Sequence, residues 1–125
     1  MERDEIEYFF DTYSIVEIIN GNSGYEEYLG KPATITIFNL AEIYWVALRE
    51  YTEEKANEIF SEYSKCVVKI PEEVLKDAIK FRKANKKKDL SYADCIGYIY
   101  ALRNKMKFLT GDKEFEVMKN VEFVK

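Results

Sequence analysis

Four acidic residues, Asp11, Glu42, Asp94 and Asp112, are spaced so that their carboxylates can gather around a hard metal ion. Asp11 directly follows the apolar run Tyr8-Phe9-Phe10, and Asp112 follows Phe108-Leu109 after a Thr110-Gly111 step that lets the backbone turn tightly. Ligands of open parallel sheets bind outside the carboxyl ends of the strands, so these two acids belong to one rim. Glu42 lies in the helical segment Asn39-Leu40-Ala41-Glu42-Ile43-Tyr44-Trp45 and Asp94 three residues after Ser91, on helices that must pack beside those strands. Brought together, four negative charges repel strongly in a confined site unless a cation neutralises them. The chain contains no His, which removes Ser-His-Asp and Cys-His catalysis and every His-ligated metal. Oxygen-only ligation points to Mg²⁺ or Mn²⁺.

Hydroxyls accompany two of the acids: Thr12 and Ser14 beside Asp11, and Thr110 beside Asp112. Such groups can orient a carboxylate or a metal-bound water. Each acid also has a plain reading. Asp11 at the head of a helix is a cap, Asp112 is a turn residue, and Glu42 is a solvated Glu at the edge of an amphipathic helix. Ser91-x-x-Asp94 has the spacing of a capping box, although Asp is shorter than the usual Glu and is expected to reach the backbone less easily, leaving its carboxylate freer to face outward.

These acids need elements to hold them, and the chain alternates strand-like and helical segments. Tyr8–Phe10 reads as a buried strand, and Thr12–Asn20 as a helix closed by Gly21-Asn22-Ser23-Gly24. A short helix over Tyr25–Leu29 precedes Pro32 and the strand-like Ala33-Thr34-Ile35. Leu40, Ile43, Tyr44, Ala47 and Leu48 recur at the spacing of a helix with one buried face, and Thr52 before Glu53 and Glu54 caps the next, to about Ser64. Cys66–Ile70 reads as a strand. Pro71 with Glu72 and Glu73 opens a helix that ends in the lysine cluster. A helix over Tyr92–Lys105, a strand over Lys107–Leu109 and a last strand near Val121–Val124 complete the series. Strands separated by helices imply a three-layer α/β/α sandwich with a mostly parallel central sheet.

The 125 residues suit a single domain, 1–125, with a sizeable core. No apolar run approaches the roughly 20 residues that span a bilayer. The opening Met1-Glu2-Arg3-Asp4-Glu5 is wrong for a secretory signal, and a cytoplasmic location is expected. Cys66 and Cys95 form neither a disulfide framework nor a zinc site and read as buried, reduced thiols. A net charge of −4 argues against nucleic-acid binding through overall charge. Basic residues nonetheless cluster at Lys83, Lys86, Lys87 and Lys88 and again at Arg103, Lys105 and Lys107. Solvated helix ends explain either cluster taken alone.

In order and spacing, Phe10-Asp11-Thr12-Tyr13-Ser14, Asn39-Leu40-Ala41-Glu42, Leu90-Ser91-Tyr92-Ala93-Asp94-Cys95 and Leu109-Thr110-Gly111-Asp112 resemble the four motifs of the PIN-domain family. The resemblance spans nearly the whole chain, and its length is similar to that of the VapC toxins of toxin–antitoxin pairs. It implies that Asp11, Glu42, Asp94 and Asp112 bind metal, with Thr110 assisting. It also implies an endoribonuclease held inactive by a small antitoxin protein, with dimers common. The reaction would be metal-assisted hydrolysis with in-line attack of water on phosphorus, and Lys83, Lys86, Lys87 and Lys88 would hold the RNA backbone without reading its sequence. The stretch before the first strand is longer and more charged than the family leads one to expect. A phosphate-accepting signalling domain or an Asp-x-Asp phosphatase would place paired acids after the first strand, whereas Thr12-Tyr13 follows Asp11. The stronger rival is a PIN-like module that binds RNA or protein without cleaving, against which stands the presence of all four acids.

Overall fold

A computed structural model describes residues 5–125; the charged residues 1–4 lie outside the described part. Its sheet is built from three short apolar segments: β1 (Tyr8–Phe10), β2 (Lys107–Thr110) and β3 (Val121–Phe123). The order is β1-β2-β3 and both pairings are parallel, with Phe9 opposite Phe108 and Phe108 opposite Val121. Parallel neighbours require crossovers, and five α-helices supply the chain between β1 and β2: α1 (Thr12–Ile19), α2 (Ile37–Glu50), α3 (Glu53–Ser64), α4 (Glu72–Ala84) and α5 (Tyr92–Arg103).

Alternation along the strands divides the apolar residues between two faces. Tyr8, Phe10 and Leu109 pack into one core with Ile15 of α1, Leu40, Ile43 and Ala47 of α2, and Ala56 and Ile59 of α3. Phe9 and Phe108 face the other way, into a core formed with Ala78 of α4 and with Cys95, Ile96, Tyr98 and Ala101 of α5. Two cores on opposite faces of a parallel sheet make the expected α/β/α sandwich. α5 is buried on nearly all sides and carries Gly97 where a Cβ would stand 2.5 Å from Cε1 of Phe9, so the absence of a side chain lets the helix lie directly on the sheet.

Two expected strands shrink to single bridge positions. Thr34 bridges Phe9, and Ile35 bridges Val67, both in parallel sense, so Ala33–Ile35 and Cys66–Ile70 extend the sheet beyond β1 without becoming strands. The cause is local: Pro32 precedes the first segment and Thr36 already caps α2, leaving three residues between them, of which Thr34 and Ile35 pair. The segment opposite them then has only Ile35 as a partner. The expected helix over Tyr25–Leu29 is a 3₁₀ turn over Ser23–Tyr28, and a second such turn, Lys113–Phe115, follows Asp112. Cys95 is buried, but Cys66 is only half-buried; both are free. Among the described residues no helix is long and apolar enough to cross a membrane.

Candidate functional site

Asp11 ends β1 and precedes α1, yet its side chain does not cap the helix. It is turned instead into the sheet edge, 1% exposed, where Oδ2 accepts a hydrogen bond from the Thr110 hydroxyl at 2.8 Å. Its Oδ1 is buried without a hydrogen-bond partner, a costly state for a carboxylate oxygen. The Thr110 hydroxyl also accepts from the Asp112 amide at 3.1 Å, and Asp112 Oδ1 accepts from the Glu114 amide at 3.0 Å. One threonine thus joins the acids at the ends of β1 and β2. Gly111 makes the junction fit: a Cβ there would lie 2.3 Å from both Cε1 of Tyr13 and the Val124 carbonyl oxygen.

Glu42 is positioned from the other side by a chain of polar groups. The amide and hydroxyl of Thr36 donate to Asn39 Oδ1 at 2.9 and 2.8 Å, closing a capping box at the start of α2. This fixes the side-chain amide so that Nδ2 donates to the Thr12 hydroxyl at 3.1 Å, and Thr12 donates to Glu42 Oε1 at 2.7 Å. Sequence reasoning assigns Asn39 no role of its own; the available signal is Thr36-x-x-Asn39, which has the same spacing as Ser91-x-x-Asp94. Ser14, also buried, donates to the backbone carbonyl of Asp11 at 2.6 Å rather than to any carboxylate, so it secures the turn that aims the acid.

Asp94 corrects an expectation. Its shorter side chain does reach the backbone: Oδ2 accepts from the Ser91 amide at 2.8 Å while the Ser91 hydroxyl accepts from the Asp94 amide at 3.0 Å, completing the capping box of α5. That contact holds one oxygen and leaves the other. The same division recurs at each of the four acids. Among the described residues, one oxygen of Asp11, Glu42, Asp94 and Asp112 is held by a protein donor and its partner oxygen is not.

Asp11 and Asp94 sense the charge of neighbouring acids. Burial, followed by the charge of Asp94 and then Glu42, drives the Asp11 carboxyl well above the usual carboxylate range against the pull of the Thr110 hydroxyl. Burial with the charges of Glu42 and Asp112 raises Asp94 to about 6, despite the stabilising contacts from Ser91. The donor set therefore suits a hard divalent cation: carboxylate oxygens only, one of them buried and orphaned. Among the described residues no three acids are already gathered at ligating distance.

The lysines lie elsewhere: Lys83 in the last turn of α4, and Lys86, Lys87 and Lys88 in the turn that follows it. Lys83, Lys86 and Lys88 line a groove of ≈ 310 Å³ with Arg82 and Tyr92, while Lys87 does not line it.

Residues 8–121 match the family model of the PIN domain. The fold is similar to that of a toxin–antitoxin complex from Klebsiella pneumoniae, at 18% identity over 93% of this chain and 96% of that one, with a TM-score of 0.72. It is also similar to VapBC2 from Rickettsia felis bound to a DNA fragment from its promoter, at 14% identity over 96% and 100% of the two chains and a TM-score of 0.71. A third is VapBC-1 from nontypeable Haemophilus influenzae, at 16% identity over 94% and 96% and a TM-score of 0.66. No curated protein matches the chain in sequence.

Proposed function

Because the chain belongs to the PIN-domain family, whose members are generally nucleases, we propose that it is a metal-dependent endoribonuclease, the toxin of a VapBC-type toxin–antitoxin pair. The observation that carries the reading is the buried, unpartnered Oδ1 of Asp11 among three further acids, whose charges raise the proton affinity of Asp11 and Asp94. A scaffold has no physical reason to bury a carboxylate oxygen without a donor.

Asp11, Glu42, Asp94 and Asp112 would hold Mg²⁺ or Mn²⁺ through the oxygens that no protein donor occupies. A divalent cation bound there would supply charge neutralisation at the phosphodiester and would ease the ionisation of a water to a nucleophile near neutral pH. The protein's own groups do the positioning. Thr110 and Thr12 hold Asp11 and Glu42 by their second oxygens, and Ser91 holds Asp94. The burial around Asp11 and Asp94 limits competing water. Lys83, Lys86 and Lys88 carry the positive charge that an RNA backbone needs on an otherwise acidic protein.

The likeness to toxin–antitoxin complexes supports a small antitoxin as partner, and the exposed aromatic residues Phe38, Trp45 and Phe60 supply apolar surface for it or for a second copy of the chain. The rival reading is a PIN-like module that binds without cleaving. It draws on the engagement of Asp94 in its helix cap and on the absence of a preassembled ligand cage among the described residues.

Cleavage of a mixed RNA pool in Mg²⁺, Mn²⁺ or chelator, by the natural chain and by Asp11→Asn and Asp94→Asn, separates the two. Metal-dependent cleavage abolished in both variants, with helical circular dichroism unchanged, supports the nuclease. Cleavage equal in the variants refutes the assignment.

A further inference from the structure

The groove between the end of α4 and the start of α5 has features that a solvated helix end does not need. Tyr92, the first residue of α5, is 55% exposed. The Arg82 guanidinium lies over its ring, 4.3 Å from the centroid, and is fixed from a second side by donation of Nε to the Leu90 carbonyl at 3.0 Å. Among the described residues, neither Arg82 nor Lys83, Lys86 or Lys88 pairs with an acid, and the four converge on one groove. No acid lines the groove. Four unpaired cations, one of them preorganised against an open aromatic ring, form the combination that holds a nucleic-acid strand: charge for the phosphates and a π-face for a base.

Its position adds to this. Tyr92 and Asp94 share the first turn of α5, about 3 Å apart along the helix axis at the usual rise per residue. They point to different sides of that helix end. The groove thus borders the helix turn that carries Asp94.

We propose that this groove is a subsite for single-stranded RNA, in which Tyr92 stacks an unpaired base next to the scissile phosphodiester while Arg82, Lys83, Lys86 and Lys88 hold the adjoining phosphates. The inference rests on the nuclease reading for the word scissile and on its own geometry for the binding. A duplex keeps its bases stacked inside, so the subsite selects loops and unpaired segments.

The test is fluorescence anisotropy of a short single-stranded RNA on the full chain carrying Asp94→Asn, with a hairpin of the same composition as competitor. Tyr92→Ala should weaken binding about 5- to 150-fold, the range that base–aromatic stacking energies imply, while Tyr92→Phe keeps the ring and the affinity. Lys86→Ala with Lys88→Ala should flatten the dependence of log K on log salt by about 0.7 for each phosphate that a lysine no longer neutralises. Affinity unmoved by Tyr92→Ala, or weakened equally in Tyr92→Phe, overturns the proposal and leaves the groove to a protein partner. The two readings fail separately: cleavage of the RNA pool absent from the natural chain in Mg²⁺ and Mn²⁺ alike sinks the nuclease, whereas unchanged RNA affinity in Tyr92→Ala beside an active natural chain sinks only the subsite.

Discussion

Replacing Asp94 with asparagine should make the metal-free protein more stable at neutral pH. Raising this carboxyl from 3.8 to about 6 means that ionising it in the folded state costs roughly 3 kcal/mol by proton linkage. The sign follows from which state binds the proton more tightly. Below about pH 4 the contribution of Asp94 to folding is fully present, and it is lost as the pH rises through about 6, so at pH 7.5 the folded protein carries a charge it would rather shed. Asparagine removes that charge and can keep the cap, since Asn39 already fills the same position in the capping box of α2. Losing a favourable charge at a helix start takes back about 0.3–1 kcal/mol. The net gain is about 2 kcal/mol, or roughly 6–10 °C in Tm for a chain of this size. Thermal unfolding in chelator from pH 4.5 to 8 should show the natural chain losing stability through pH 6 relative to Asp94→Asn. Saturating Mn²⁺ should reverse the ranking at pH 7.5 and have little effect at pH 4.5. Two curves that run parallel across this range, or a variant less stable than the natural chain at pH 7.5, would refute the reasoning.

Gly111→Ala should destabilise the protein by about 1–3 kcal/mol, as overpacking does, because its Cβ would meet Tyr13 and the Val124 carbonyl; denaturant unfolding reads the change. Thr12→Val leaves the buried Asn39 Nδ2 without its acceptor and frees Glu42, which should cost about 1–3 kcal/mol and lower RNA cleavage at least tenfold. A variant of unchanged midpoint and activity would show that the relay is idle. Lys105 closes α5 in the left-handed region at φ 58°, so Lys105→Gly should stabilise the fold by about 1 kcal/mol, the strain a side chain carries there; a denaturation midpoint that stays put would show the strain to be relieved elsewhere.

Much of the fold is legible in the sequence because its strongest signals are local. Tyr8–Phe10 and Lys107–Leu109 are short apolar runs beside turn residues, and Thr52 and Ser91 announce their helices by cap chemistry. The outer sheet is not legible in the same way, because strand propensity in Ala33–Ile35 and Cys66–Ile70 says nothing of how much partner each segment will find. A cap at Thr36 leaves room for one bridge on each side. At the site, residue types and order point to the four acids, but the contacts that hold them do not show. Asn39 and Thr12 are 27 residues apart in sequence, and a buried polar link of that kind has no periodicity. For Asp94, side-chain length alone is a poor guide, since backbone geometry at the helix start brings the amide to it.

The two threonines beside the acids each receive a hydrogen bond from a nitrogen and pass their single hydrogen to a carboxylate. A hydroxyl on its own can rotate and reverse its role; one already engaged by an N–H has its direction decided. Thr110 therefore cannot swing its hydrogen from Asp11 to Asp112, and Thr12 cannot turn its hydrogen back toward Asn39. Polarity at the rim runs one way, from main chain and amide toward the acids, so the two threonines act as fixed donors that tie down one oxygen each of Asp11 and Glu42 and leave the other uncommitted.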